Sequence, residues 1–190
     1  MHVSVLCTFV FFFLFLECLL SYNSVSELVN IDDSALSSSS IYSSSHHARF
    51  SCLYSTAGEG SWSSAHNSVG EWIQATFGEI KVIVKVATQG RHTNHDHYVT
   101  SYKLSTSTDG IAFEYVLELD GSEKIFPANY DSSTVVENCV DYVQARVVRL
   151  EPQTWHMGMS LRWEVMTLHI EGDLIRNSAF HVKSGIFSFN

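Results

Sequence analysis

From residue 71 onward the chain alternates between apolar and polar positions at a period of two. In EWIQATFG, Trp72 alternates with Gln74 and Ile73 with Ala75, and KVIVKVAT then gives a β-branched run over residues 81–88, bounded by Gly78 and Gly90. These read as two strands. YVTSYKLSTSTDG alternates through Tyr98, Thr100, Tyr102 and Leu104, and Asp109-Gly110 turns the chain into AFEYVLEL, so a hairpin is expected over residues 98–119. FPANYDSSTVVENC is rich in turn residues, ARVVRLEP (145–152) reads as another strand, and SLRWEVMTLHI (160–170) is the last strong one. No segment of helix length repeats apolar residues at three and four, so the expected fold is all-β, a sandwich or barrel of short strands.

The first third differs. Residues 3–16 are almost continuously apolar and are followed by Ser21, Ser24 and Ser26, the pattern of a secretory signal peptide over residues 1–24, cut between Ser21 and Ser26. A basic n-region is missing and Glu17 interrupts the end of the run; as an uncleaved anchor the run is short. Secretion into the extracellular space is therefore expected. After an acidic stretch at 27–33, SALSSSSIYSSSHHARF is dominated by serine, with Ile41 and Tyr42 at its centre. That suits either a flexible linker or a loop with an apolar contact tip. Residues 171–190 continue no pattern and read as a tail.

At 190 residues there is room for one ordinary domain. The formal charge of −9 argues against sequence-independent binding to nucleic acid or to an anionic membrane, both of which need a cationic surface. Removal of the leader would take Cys7 and Cys18 with it and leave Cys52 and Cys139, which either pair or stay as thiols; spacing does not decide.

The segment RHTNHDH concentrates candidate chemistry. His92, His95, His97 and Asp96 are a reasonable zinc or copper set, yet their spacing matches no helix-borne zinc motif, and no metal is assigned. Together with Arg91 and Asn94 they also form a dense mixture of donors and acceptors suited to sugar hydroxyls, with Tyr42, Tyr54 or Trp62 to supply an apolar face. Nothing nominates a catalytic Ser-His-Asp, Cys-His or paired-carboxylate arrangement. Arg146 and Arg149 read as structural arginines seeking a carboxylate such as Glu164, and Trp72, Tyr102, Trp155 and Trp163 as core or barrel-face aromatics.

Taken together, EWIQATFG, VATQGR, YVTSYKLSTSTDG, IFPANYDSSTVV, ARVVRLEPQTWH and SLRWEVM resemble, in order and spacing, the discoidin domain, also called the coagulation-factor V/VIII type C domain, over residues 34–168. The resemblance implies an eight-stranded jelly-roll barrel or sandwich without catalytic activity. It further implies a ligand held by three loops at one end, at residues 37–48, 52–61 and 91–97. The expected contacts are Ile41, Tyr42, His46, His47, Tyr54, Arg91, His92, Asn94, His95, Asp96 and His97. The implied role is a lectin-like or adhesion module for cell-surface or matrix glycans, in which oligomerisation of the chain would supply valency. The alternative is docking to phosphatidylserine-type membranes through the same loops. No cofactor is expected, and a calcium requirement does not follow from these residues. The chain departs from the family in lacking the cysteines that bridge the domain ends: neither LVNIDDS nor EVMTLHI contains one, and Cys52 and Cys139 do not occupy those positions.

Overall fold

The computed structural model describes residues 35–92 and 95–168, and the backbone of 26–28. The expected signal peptide, Asn94 and the tail at 171–190 lie outside the described residues. Nine strand segments are present among those described: β1 (Ser26–Leu28), β2 (Leu36–Ser38), β3 (Trp62–Ser63), β4 (Ile73–Gln89), β5 (Tyr98–Ser107), β6 (Glu114–Tyr115), β7 (Phe126–Pro127), β8 (Val136–His156) and β9 (Ser160–Leu168). Among the described residues a 3-10 turn, Ala48–Phe50, links the first loop to the second. The fold is an all-β, antiparallel jelly-roll sandwich, as expected.

Two long strands carry the architecture. EWIQATFG and KVIVKVAT, read as two strands, are one bent strand, β4: the register with β8 shifts between Thr76 and Lys81, where Gly78, Glu79 and Ile80 are exposed. Such a bulge bends the strand without ending it. The first part of β4 pairs with β2 and with β8 at 147–150, while its second part runs between β9 and the start of β8. β8 in turn passes on to pair with β5. Both strands thus serve two sheet faces, which close over a core containing Trp62, Ile73, Tyr102, Leu104, Phe126, Leu150, Leu161 and Trp163. AFEYVLEL is less regular than its sequence suggests: only Glu114–Tyr115 pairs as a strand, followed by a bridge between Leu117 and Glu123.

The strand order settles two expectations. Glu164 on β9 cannot meet Arg149 on β8, because β4 lies between them. Arg149 instead donates from Nε and Nη2 to Gln74 Oε1 and stacks between Trp72 and Phe113, 4.4 and 3.9 Å from the ring centroids. Arg146 Nε donates to the Phe77 carbonyl. Cys139 is disulfide-bonded, but not to Cys52. Cys139 sits on β8 opposite Lys85, whereas Cys52 follows Ser51, whose carbonyl accepts from Trp163 on β9 at the level of Thr88. Two strand spacings and three residues along the strands, about 14 Å, exceed what a disulfide spans.

Candidate ligand-binding site

At one end of the sandwich three loops are tied to one another and to the sheets. The first, after β2, is anchored from below: Trp62 Nε1 donates to the Ser40 carbonyl at 2.9 Å, Tyr42 N–H to the Ser63 carbonyl at 2.9 Å, and the hydroxyls of Ser39 and Ser40 to Glu71. The second is joined to the first by Glu59 N–H on the Ser45 carbonyl, 2.9 Å. The third leaves β4 at Gly90 and returns into β5, and Arg91 N–H on the His97 carbonyl (3.0 Å) pinches its base. Second and third loops meet where Arg91 Nη2 pairs with Glu59 Oε2 at 2.6 Å. They also meet at Gly60, whose φ of +63° and a built Cβ only 2.6 Å from His92 Cβ both demand glycine.

Between the second and third loops lies a cleft of about 210 Å³, lined by Tyr54, Gln89, Arg91, His92, Ser132, Ser133 and Arg162. Gln89 braces it: its Oε1 accepts from Tyr54 N–H at 3.0 Å and its Nε2 donates to the Ser133 carbonyl at 2.6 Å. The far wall, residues 129–134, is a preformed turn. Asp131 accepts from the Ser133 and Thr134 amides, and Asn129 Nδ2 donates to the Thr88 and Thr134 carbonyls. The Asp131 carboxyl is held below its usual range by the Thr134 amide and hydroxyl. Arg162, buried on β9, forms the floor, with Nε on the Gly90 carbonyl at 2.6 Å and Nη2 on the Ser132 carbonyl at 3.0 Å.

The residues read from sequence divide into three groups. Tyr54, Arg91 and His92 line the cleft. Tyr42, His47, His95 and Asp96 are exposed but do not line it, with Tyr42 edge-on to His46 at 5.3 Å and Asp96 Oδ2 3.5 Å from His156 Nε2. Ile41, His46 and His97 are turned inward: Ile41 packs against the core, His46 is buried with Nδ1 on Ser43 Oγ, and His97 is half-buried against Gly158. Trp62, considered as a sugar platform, is fully buried and cannot serve as one. The His95 and His97 rings lie 5.3 Å apart, and among the described residues no three histidines, cysteines or carboxylates gather into a metal-holding group. Gln89, Ser132, Ser133 and Arg162 were missed. Gln89 and Arg162 stand inside QGR and SLRWE, read as scaffold, and the serines inside a segment read as a turn.

Burial, then the Arg91 charge, lowers the affinity of both His46 and His97 for protons. A histidine depressed in the fold contributes stability that is complete above its unfolded value of about 6.5 and is lost as pH falls through the folded value. The urea midpoint is therefore expected to drop on going from pH 7.5 to 5.5, and to drop less in His46→Gln. An identical pH dependence in the variant would show that His46 is not part of the response.

Residues 35–165 match the family model of the F5/8 type C domain. Among curated relatives, rat (Rattus norvegicus) lactadherin is 36% identical over 107 residues, covering 55% of this chain and 25% of lactadherin. Hemocytin of Bombyx mori is 35% identical over 140 residues, 72% of this chain and 4% of hemocytin. The chain thus spans a quarter or less of these relatives. Among solved structures, discoidin II from Dictyostelium discoideum superimposes with a TM-score of 0.68 at 31% identity, covering 78% of this chain and 60% of that one. On the family match, the relatives and the shared architecture, the chain belongs to the F5/8 type C, or discoidin, domain family, whose domains are non-catalytic binding modules.

Proposed function

We propose that this domain is a secreted, lectin-like or adhesive module that recognises carbohydrate at the loop end of the sandwich. The observation that carries the reading is the cleft beside Tyr54. At about 210 Å³ it is smaller than the roughly 300–1,000 Å³ of drug-sized sites and is on the scale of a single sugar ring. Tyr54 is 70% exposed and offers an aromatic face, while Gln89, Ser132, Ser133 and the two arginines surround the space with donors and acceptors for ring hydroxyls. A single small cleft binds weakly, so useful avidity would come from several copies of the chain engaging one glycan-bearing surface.

A glycan array probed with wild-type protein, with and without chelator, tests this reading. Binding to a defined glycan set is expected, reduced at least tenfold by Tyr54→Ala; an array without signal at any density would remove the carbohydrate assignment. Light scattering is expected to show an oligomer under the binding conditions.

A second reading has its own support. Tyr42, Tyr54 and Met157 are exposed at 70, 70 and 72%, and Met157 adjoins His156 and Gly158, which contact the third loop. Three apolar tips at one end suit insertion into a lipid surface. Sedimentation with vesicles containing phosphatidylserine, undiminished by free sugar, would favour it over carbohydrate.

A further inference from the structure

We propose that the cleft selects a sugar bearing a carboxylate, a uronic or sialic acid residue, with Arg162 as the group that recognises the acid. This rests on the carbohydrate reading and narrows it. Arg162 is only 3% exposed, and no carboxylate comes within ion-pair distance of it among the described residues. Its hydrogen bonds among the described residues go to two neutral carbonyls, of Gly90 and Ser132, through Nε and Nη2. Desolvating a guanidinium without a counterion is unfavourable, and two neutral carbonyls offset that cost only in part. A bound anion would supply the missing charge.

The surroundings point the same way. The chain carries 20 acidic and 11 basic residues, yet the cleft lining contains two arginines and a histidine and no aspartate or glutamate. The nearby acids are already engaged. Glu59 pairs with Arg91, Asp131 is taken up by its own turn, and Glu164, two residues along β9, accepts from the Leu53 backbone. Burial also weakens the hold of Arg162 on its proton, the cost expected of an uncompensated cation. The planar guanidinium fork matches carboxylate geometry, and Tyr54 and the two serines remain for the ring. In a protein of net charge −9 an acid-free pocket around a buried arginine is a local reversal of the overall field.

Calorimetric titration of the protein with galacturonic acid, its methyl ester, galactose and O-phosphoserine tests the proposal. Galacturonic acid is expected to bind at least tenfold more tightly than galactose or the ester, and the ratio is expected to fall to about twofold in Arg162→Gln. The ester arm needs no variant, so loss of folding in Arg162→Gln leaves the comparison intact. Equal affinity for galacturonic acid, ester and galactose would overturn the acid selectivity while leaving the carbohydrate reading standing. Binding of O-phosphoserine with none of any sugar would overturn both.

Discussion

Trp62→Ala is expected to lower the free energy of unfolding by about 3–5 kcal/mol, the range for deleting a fully buried large aromatic. The effect has two parts. The indole fills the core at the base of the loops, beside β9, where Trp62 pairs with Leu161. Its Nε1 also fastens the first loop through the Ser40 carbonyl, and that loop is tied in turn to the second through Ser45 and Glu59. Trp62→Phe keeps most of the packing and loses the hydrogen bond, a net contribution of about 0.5–1.5 kcal/mol. Urea unfolding gives the two free energies, and amide exchange at residues 39–46 reads the loop. If both variants unfold at the wild-type midpoint, Trp62 is not the anchor described.

Gly90→Ala is expected to damage the cleft more than a single methyl suggests. A Cβ at this position would stand 2.5 Å from Ser132 Cα, 2.9 Å from Tyr98 Cβ and 3.1 Å from the Asp131 carbonyl oxygen. Two of the three obstacles are backbone, so the 129–134 wall must shift. Overpacking of this kind costs about 1–3 kcal/mol. The shift also separates the Gly90 and Ser132 carbonyls, which together position the Arg162 guanidinium. Loss of ligand binding of tenfold or more should therefore accompany a modest fall in the urea midpoint. Wild-type affinity in Gly90→Ala, measured by the same titration, would mean that the wall does not define the site.

These two positions show what the sequence made legible and what it did not. The alternation in YVTSYKLS and SLRWEVMTL gave β5 and β9, because a strand whose two faces meet different surroundings writes them into alternate residues. The exposed interruption at Gly78, Glu79 and Ile80 concealed the continuity of β4: a bulge and a strand end look alike when the partner strand is unknown. Tyr54, Arg91 and His92 were found because the loops bearing them could be recognised. Ser132 and Ser133 were not, since the pairing of Thr88 with Val136 is what brings residues 129–134 against Gly90, and register is invisible in a single chain. Arg162 was missed because a cation on a strongly buried strand looks like scaffold until its lack of a countercharge can be seen.

The pinch that closes the third loop separates shape from content. One backbone bond, Arg91 N–H to the His97 carbonyl, fixes where the loop starts and ends, and the side chains of His92, His95 and Asp96 contribute nothing to the buried core. Substitutions among them are therefore decoupled from barrel stability, and the same scaffold can be retargeted to new ligands by changing a segment that folding does not constrain.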